Sequence, residues 1–389
     1  MRHISEYRDP KLAHGLARAI AAAVQPGRRY RLMEFCGGHT HAIARHGLVA
    51  LLPEEIQLIH GPGCPVCVLP VGRLDQAIAL AADERITLCT YADLLRVPAS
   101  SGTTLLNARA SGADVRVVYS TDDVLRIAQN EPRREVVFFA IGFETTTPPT
   151  AVLVRQAEVL GLDNLSVFCN HVLTPAAMRQ LLAPPAGGTV APLDGIIGPS
   201  HVSTVIGLEP YAFVADQFGT PLVVAGFEPL DVLQAVYMLV QQINAGEARV
   251  ENQYQRVVKP GGNRKAQALM SSVFSVHETF AWRGLGEVPL SALALRAELA
   301  AFDAERRFAM PPGQGREHKS CECPAILRGE KSPSQCRLFG VACTPERPLG
   351  PCMVSPEGAC AAHWSYGRAQ NTRTSKINNA SRRASLPVS

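Results

Sequence analysis

Short apolar runs punctuate the first two-thirds of the chain, and each leads into a loop of polar residues and, in most cases, glycine. Residues 30–35 run into Cys36-Gly-Gly-His39, residues 56–59 into Gly61-Pro-Gly-Cys64, and residues 136–141 into Gly142-Phe-Glu144. Residues 165–169 run into Asn170-His171, residues 195–197 into Gly198-Pro-Ser-His201, and residues 222–225 into Gly226-Phe-Glu-Pro229. Residues 86–90 and 115–119 are further runs of the same kind. Continuous apolar runs, without alternation, suit strands covered on both faces, so a parallel sheet between helices is expected. Helical patterns fill the intervals. At the start, Leu12, Leu16, Ile20 and Val24 repeat every four residues and mark one face of a helix over 10–24.

The pattern predicts an α/β protein with two Rossmann-like, doubly wound parallel-sheet units. The first spans 31–120 and carries Cys36, Cys64 and Cys67; the second spans 121–246. A weak internal repeat, Ala140-Ile-Gly-Phe-Glu-Thr and Val224-Ala-Gly-Phe-Glu-Pro, fits two such units. Ligands bind beyond the carboxyl ends of strands in these sheets, so the polar loops should gather on one side. After Gly246 the pattern changes. Residues 247–265 are polar, with Lys259, Arg264 and Lys265 reading as a solvated face, and helical patterns follow at 264–276 and 291–302. Residues 310–360, rich in Pro, Gly and Cys, lack the periodicity of an ordinary core and call for a staple. The polar, basic residues 367–389 read as a disordered tail.

Composition narrows the classes. With 47% hydrophobic and 19% charged residues, the 389-residue chain is ordered over most of its length. No charge-free apolar run reaches the 18 or so residues of a membrane span. The first ten residues lack the apolar core of an export signal. A net charge of +4 is too mild to point to nucleic acid. The eleven cysteines are clustered: five before residue 170 and six between 321 and 360. An odd count without an export signal argues for a reduced, cytoplasmic setting, where clustered thiols bind metal or do redox chemistry.

Three constellations carry that chemistry. Cys321, Cys336, Cys343 and Cys360 stand at C-x14-C-x6-C-x16-C, with Cys323 and Cys352 as extra candidates. Structural zinc sites use two close pairs, and only Cys321 and Cys323 are close, so a 4Fe–4S cluster is favoured over zinc. An iron–sulfur domain formed by 247–366 together with 1–30 is the expected third unit. Cys64-Pro-Val-Cys67, directly after a strand, suits either a reversible disulfide or a soft metal ion. Cys36-Gly-Gly-His39-Thr-His41 has a metal-ligand composition; the two histidines share a face on a strand and diverge on a helix. Glu144 and His201 lie in glycine loops that suit capping as well as ligand contact. Cys89 and Cys169, inside apolar runs, read as core.

Together these motifs resemble the HypD family of [NiFe]-hydrogenase maturation proteins. The resemblance rests on Phe35-Cys-Gly-Gly-His-Thr-His, His60-Gly-Pro-Gly-Cys-Pro-Val-Cys-Val, Ile141-Gly-Phe-Glu-Thr-Thr and Cys169-Asn-His. Gly198-Pro-Ser-His-Val, Val224-Ala-Gly-Phe-Glu-Pro-Leu-Asp, Cys336-Arg-Leu-Phe-Gly, Cys343-Thr-Pro and Cys352-Met-Val-Ser-Pro-Glu-Gly-Ala-Cys360 extend it across about residues 5–366. Pro324 and Pro351 stand where the family usually has Gly and Ala. The resemblance implies a scaffold that assembles an iron carrying two cyanides and one carbon monoxide, working with the small chaperone HypC and receiving cyanide from HypE. It implies that Cys36, Cys64 and Cys67 touch the iron. It further implies that Cys321, Cys336, Cys343 and Cys360 hold a 4Fe–4S cluster. The competing expectations are a small-substrate oxidoreductase with a CxxC and cluster relay, and a structural zinc protein.

Overall fold

Each apolar run read from the sequence is a strand. In the computed structural model, which describes residues 5–183 and 192–367, they are β1 (Tyr30–Glu34), β2 (Ile56–His60), β3 (Ile86–Thr90) and β4 (Val115–Val117). Next come β5 (Glu135–Gly142), β6 (Leu165–His171), β7 (Gly195–Gly198) and β8 (Leu222–Val224). A short ninth strand, β9 (Val250–Asn252), completes the set. All nine pair in parallel. Burial along β3 and β6 is unbroken, as expected of strands covered on both faces. The tail expected at 367–389 lies, from residue 368 on, outside the described residues.

The two sheets do not follow chain order. One has the order β2-β1-β7-β8-β9 and the other β4-β3-β5-β6. The chain leaves the first sheet after β2, builds the whole second sheet, and returns at β7. The boundary drawn at 120/121 from the sequence therefore falls inside the second sheet, between β4 and β5. Local periodicity reports that a segment is a strand; which strand it pairs with is settled by packing. In the first sheet the winding direction reverses between β1 and β7, so the switch point opens beyond Glu34 and Gly198.

Helix Pro10–Ala23 begins at an Asp9 N-cap that accepts from the amides of Lys11 and Leu12, with Pro10 in the first turn. It packs on helix Pro229–Ala245 and the first sheet, where Ile20, Leu32, Ile197, Leu233 and Leu239 share one core. This corrects the expected association of residues 1–30 with the C-terminal region. The apolar face of the helix is matched by the long buried helix, not by the cysteine-rich stretch. That stretch packs elsewhere: segments 351–353 and 359–367 lie against helices Gly37–His46 and Pro65–Val68.

A second correction concerns 264–302. Helix Arg264–Val273 is as expected, but an antiparallel hairpin follows, β10 (Phe274–Trp282) and β11 (Gly286–Leu295). Residues 291–295, read as helical, are strand. Ser275 to Thr279 of β10 are exposed, so no apolar face announced a strand.

Candidate functional site

β1 and β2 are neighbours, with Glu34 opposite His60 at their carboxyl ends. Their hydrogen bonding continues past the strands: the Gly61 amide donates to the Glu34 carbonyl at 2.9 Å, and the Gly37 amide to the Gly63 carbonyl at 3.0 Å. The loops carrying Cys36 and Cys64 are thereby held side by side. Gly63 is required at this crossing, because a Cβ there would lie 2.5 Å from the Cys36 nitrogen. Cys36 then starts helix Gly37–His46, and Cys64 starts the short helix Pro65–Val68 with proline in its first turn. Cys64 and Cys67 are joined as a disulfide, with Cα atoms 5.2 Å apart. Both are buried, at 3% and 0% exposure.

The electrostatics follow from burial. It pushes the Cys36 thiol up to about 12; the Glu357 carboxylate and, more weakly, that of Glu34 push the same way, while the amides of Gly38 and His39 oppose. Cys36 is therefore a protonated thiol at neutral pH in the absence of a metal. Glu34 is fully buried, which raises its carboxyl. His60 at 2.8 Å, the Thr40 hydroxyl and the Cys36 amide at 3.1 Å all bond it and pull the other way. The carboxylate thus ties the Cys36 loop to the end of β2.

Because Gly37–His46 is a helix, His39 and His41 diverge. His39 is buried, and its Nε2–H faces the carbonyls of Ala225 and Gly226 at 3.1 and 3.0 Å. Its Nδ1 is buried without a partner. The Phe227 ring lies between His39 and His201, 4.9 and 4.3 Å from their centroids. His41 is half-buried and accepts from the Tyr366 hydroxyl at 2.9 Å. Cys36, His39 and His201 thus gather at the switch point of the first sheet. Glu144 follows β5 in the second sheet, is buried, and accepts from the amide and hydroxyl of Thr174, both at 2.9 Å. It acts here as a cap. Cys89 and Cys169 are core residues, the latter donating to the Leu293 carbonyl.

The C-terminal thiols converge on one small pocket lined by Cys321, Cys323, Cys336, Cys343 and Cys360. Ile326, Leu338, Phe339 and Met353 complete its apolar wall. Cys352 is fully buried, and contact with Cys323 is the main cause of its strongly raised pKa. Cys321 is raised chiefly by the same neighbour, and Cys343 by burial. Among the described residues no three His, Cys, Asp or Glu side chains are arranged around a single metal ion. Thiolates on one ion lie about 2.3 Å from it and must crowd together, whereas a cluster spreads four thiolates over several irons. Five thiols around an apolar pocket fit a cluster's donor set, and the four expected from the sequence are all among them. Cys64, Cys67, Cys323, Cys343, Cys352 and Cys360 belong to one contiguous buried cluster, with Cys321 and Cys336 packed against it.

Comparison with known proteins bears on this arrangement. The family model described as "HypD: Hydrogenase formation hypA family" matches residues 11–367. The chain belongs to the HypD family. It is 63% identical to the hydrogenase expression/formation protein HupD of Azotobacter chroococcum mcd 1, over 95% of this chain and 97% of that protein. It is 61% identical to the hydrogenase maturation factor HypD of Rhizobium leguminosarum bv. viciae, over 95% and 96%. Against the hydrogenase maturation factor HypD of Escherichia coli strain K12, identity is 46% over 95% of this chain and the full length of that protein.

In this HypD-family chain, sequence reasoning missed Glu34 and Phe227 as parts of the site. Glu34 had a signal: an acid directly after the apolar pair Leu32-Met33, two residues before Cys36. Glu357 approaches from the C-terminal stretch, where a Cβ on Gly37 would meet its carboxylate at 2.8 Å. Nothing local announces that contact. Among the described residues no helix is long and apolar enough to cross a membrane.

Proposed function

We propose that this chain is a hydrogenase maturation scaffold that assembles the Fe(CN)2CO unit of [NiFe]-hydrogenases. The observation that carries the reading is the meeting of Cys36 with the Cys64–Cys67 pair at the switch point, where the stretch bearing Cys352 and Cys360 packs on the same two helices. The iron is cargo, held by Cys36 together with a thiol of a small HypC-like chaperone; soft thiolates suit low-spin iron(II). Binding releases the Cys36 proton.

Cyanide arrives as a thiocyanate on a HypE-like donor. Its S–CN bond breaks, the donor sulfur leaves as thiol, and cyanide bonds to iron. That cleavage consumes two electrons. Cys64 and Cys67 supply them as a dithiol that closes to the disulfide, and of their two protons one goes to the donor sulfur and one to solvent. Cys321, Cys336, Cys343 and Cys360 would hold the 4Fe–4S cluster, which when bound supplies single electrons at low potential. Glu34 and His60 orient the Cys36 loop. The nine unpaired cysteines suit a reducing cytoplasm.

The test is infrared spectroscopy of anaerobically purified protein with its chaperone, alongside iron and sulfide content. Bands of metal-bound cyanide and carbon monoxide are expected, with iron beyond four per chain. Cys64→Ala should keep the cluster absorption and lose delivery of the cyanide-bearing iron. Full maturation by that variant refutes the reading.

A further inference from the structure

A separate pocket of about 720 Å³, mouth included, opens between the loop at 98–102, residues 316–318 and the turn that joins β10 to β11. Ser100, Ser101, Arg283, Arg316, Glu317 and His318 line its polar side. Arg283 is the unusual member. It is only 6% exposed. Its amide donates to the Val68 carbonyl at 2.8 Å and its Nε to the Leu69 carbonyl at 3.1 Å. Its one carboxylate partner among the described residues is Glu317, 3.4 Å from Nε and itself partly exposed. Nη2 is buried, with no hydrogen-bond partner among the described residues.

A buried guanidinium whose carboxylate pair is long and partly exposed is under-compensated, although Cys321 of the neighbouring thiol pocket also feels its charge. Arg316, exposed at the same pocket, adds a second full positive charge. The pocket walls are fastened: Ser100 donates from its amide and hydroxyl to Asp75, and the Arg316 amide donates to the Ser100 hydroxyl oxygen at 2.9 Å. The two guanidinium groups therefore stand on tied-down segments. Donors from separate segments suit an ion whose oxygens point in several directions better than a planar carboxylate.

We propose that this pocket binds a small tetrahedral oxyanion of the phosphate or sulfate type, held by Arg283 and Arg316. The site is neither the Cys36 site nor the C-terminal thiol pocket, yet it touches both. Arg283 bonds the carbonyls that close the Cys64–Cys67 helix, and Leu349, also in the wall, donates its amide to Cys343 Sγ at 3.4 Å. A bound anion lies between the two sulfur sites. The inference does not depend on the scaffold reading.

The experiment is calorimetric titration of the anaerobically purified full chain with inorganic phosphate and, separately, sulfate, in chloride buffer at fixed ionic strength. Saturable one-to-one binding is expected, and the stronger arm identifies the ion. Arg316→Gln, at an exposed position, should weaken it at least ten-fold, and Arg283→Gln should abolish it. If Arg283→Gln fails to fold, Arg316→Gln decides alone. No saturable binding of either ion at millimolar concentration, or undiminished binding by Arg316→Gln, overturns the proposal.

Discussion

Gly63→Ala tests whether the crossing of the two cysteine loops is as tight as described. The added Cβ would lie 2.5 Å from the Cys36 nitrogen, 2.6 Å from its Cα and 2.7 Å from the Phe35 carbonyl carbon. All three are backbone atoms, so no side chain can rotate away, and either loop must move. Overpacking of this kind costs about 1–3 kcal/mol. With a urea slope of about 3 kcal/mol/M, the midpoint should fall by roughly 0.3–1 M. Gly15→Ala is the control. It lies within helix Pro10–Ala23, nothing stands within 4 Å of the new Cβ, and the substitution should stabilise by about 0.5–1 kcal/mol. Urea melts of the three proteins, run anaerobically, decide the matter. The displacement also parts Cys36 from Cys64, so maturation should fall further than the loss of folded protein explains. An unchanged midpoint for Gly63→Ala, with full maturation, would show that the loops are not in contact.

Two titrations with opposite signs probe the buried groups of the second sheet. Burial pushes the Glu144 carboxyl up to about 7. Such a group contributes stability that is present below its unfolded value of 4.5 and lost as pH rises through 7. Glu144→Gln does not titrate, so the variant should gain on the parent by about 1.4 kcal/mol per pH unit across that window, levelling off near 3 kcal/mol. His171, held at about 4 by burial, binds fewer protons folded than unfolded between pH 4 and 6.5. Its stability contribution is full above 6.5 and lost as pH falls toward 4. His171→Asn should therefore gain on the parent by up to about 3 kcal/mol on acidification, whatever constant offset follows from losing the Thr150 contact. Melting temperatures of each pair between pH 4 and 8 check both, and a flat difference curve counts against the burial argument for that residue.

The strands were legible because burial on both faces leaves short continuous apolar runs closed by polar or glycine loops: 136–141 is apolar throughout and 165–169 apart from Ser166. Sheet membership was not, because nothing in β1 says that its second neighbour is β7, about 160 residues on. β10 was missed for the opposite reason. Val276 is 52% exposed, and the strand is held by its partner, not by an apolar face. Of the site, Cys36, Cys64 and Cys67 were visible from residue type and spacing. Glu357 and Arg283 were not. Each matters through a contact made across the fold, Glu357 beside Gly37 and Arg283 on the carbonyls of Val68 and Leu69.

The topology also constrains how the Cys64–Cys67 pair is reduced. Thiol–disulfide exchange needs a thiolate to reach one sulfur in line, and these sulfurs belong to residues 3% and 0% exposed. A small diffusing thiol has no open approach to them. The sulfur-bearing groups already in place are those of the C-terminal stretch. It is pressed onto helices Gly37–His46 and Pro65–Val68, and it shares one buried cluster with Cys64 and Cys67. Under the proposed function, electrons should therefore reach the pair from within the molecule. The insertion of the second sheet between β2 and β7 makes this possible, since it separates 64–67 from 321–360 in sequence while leaving the switch point open for them to meet.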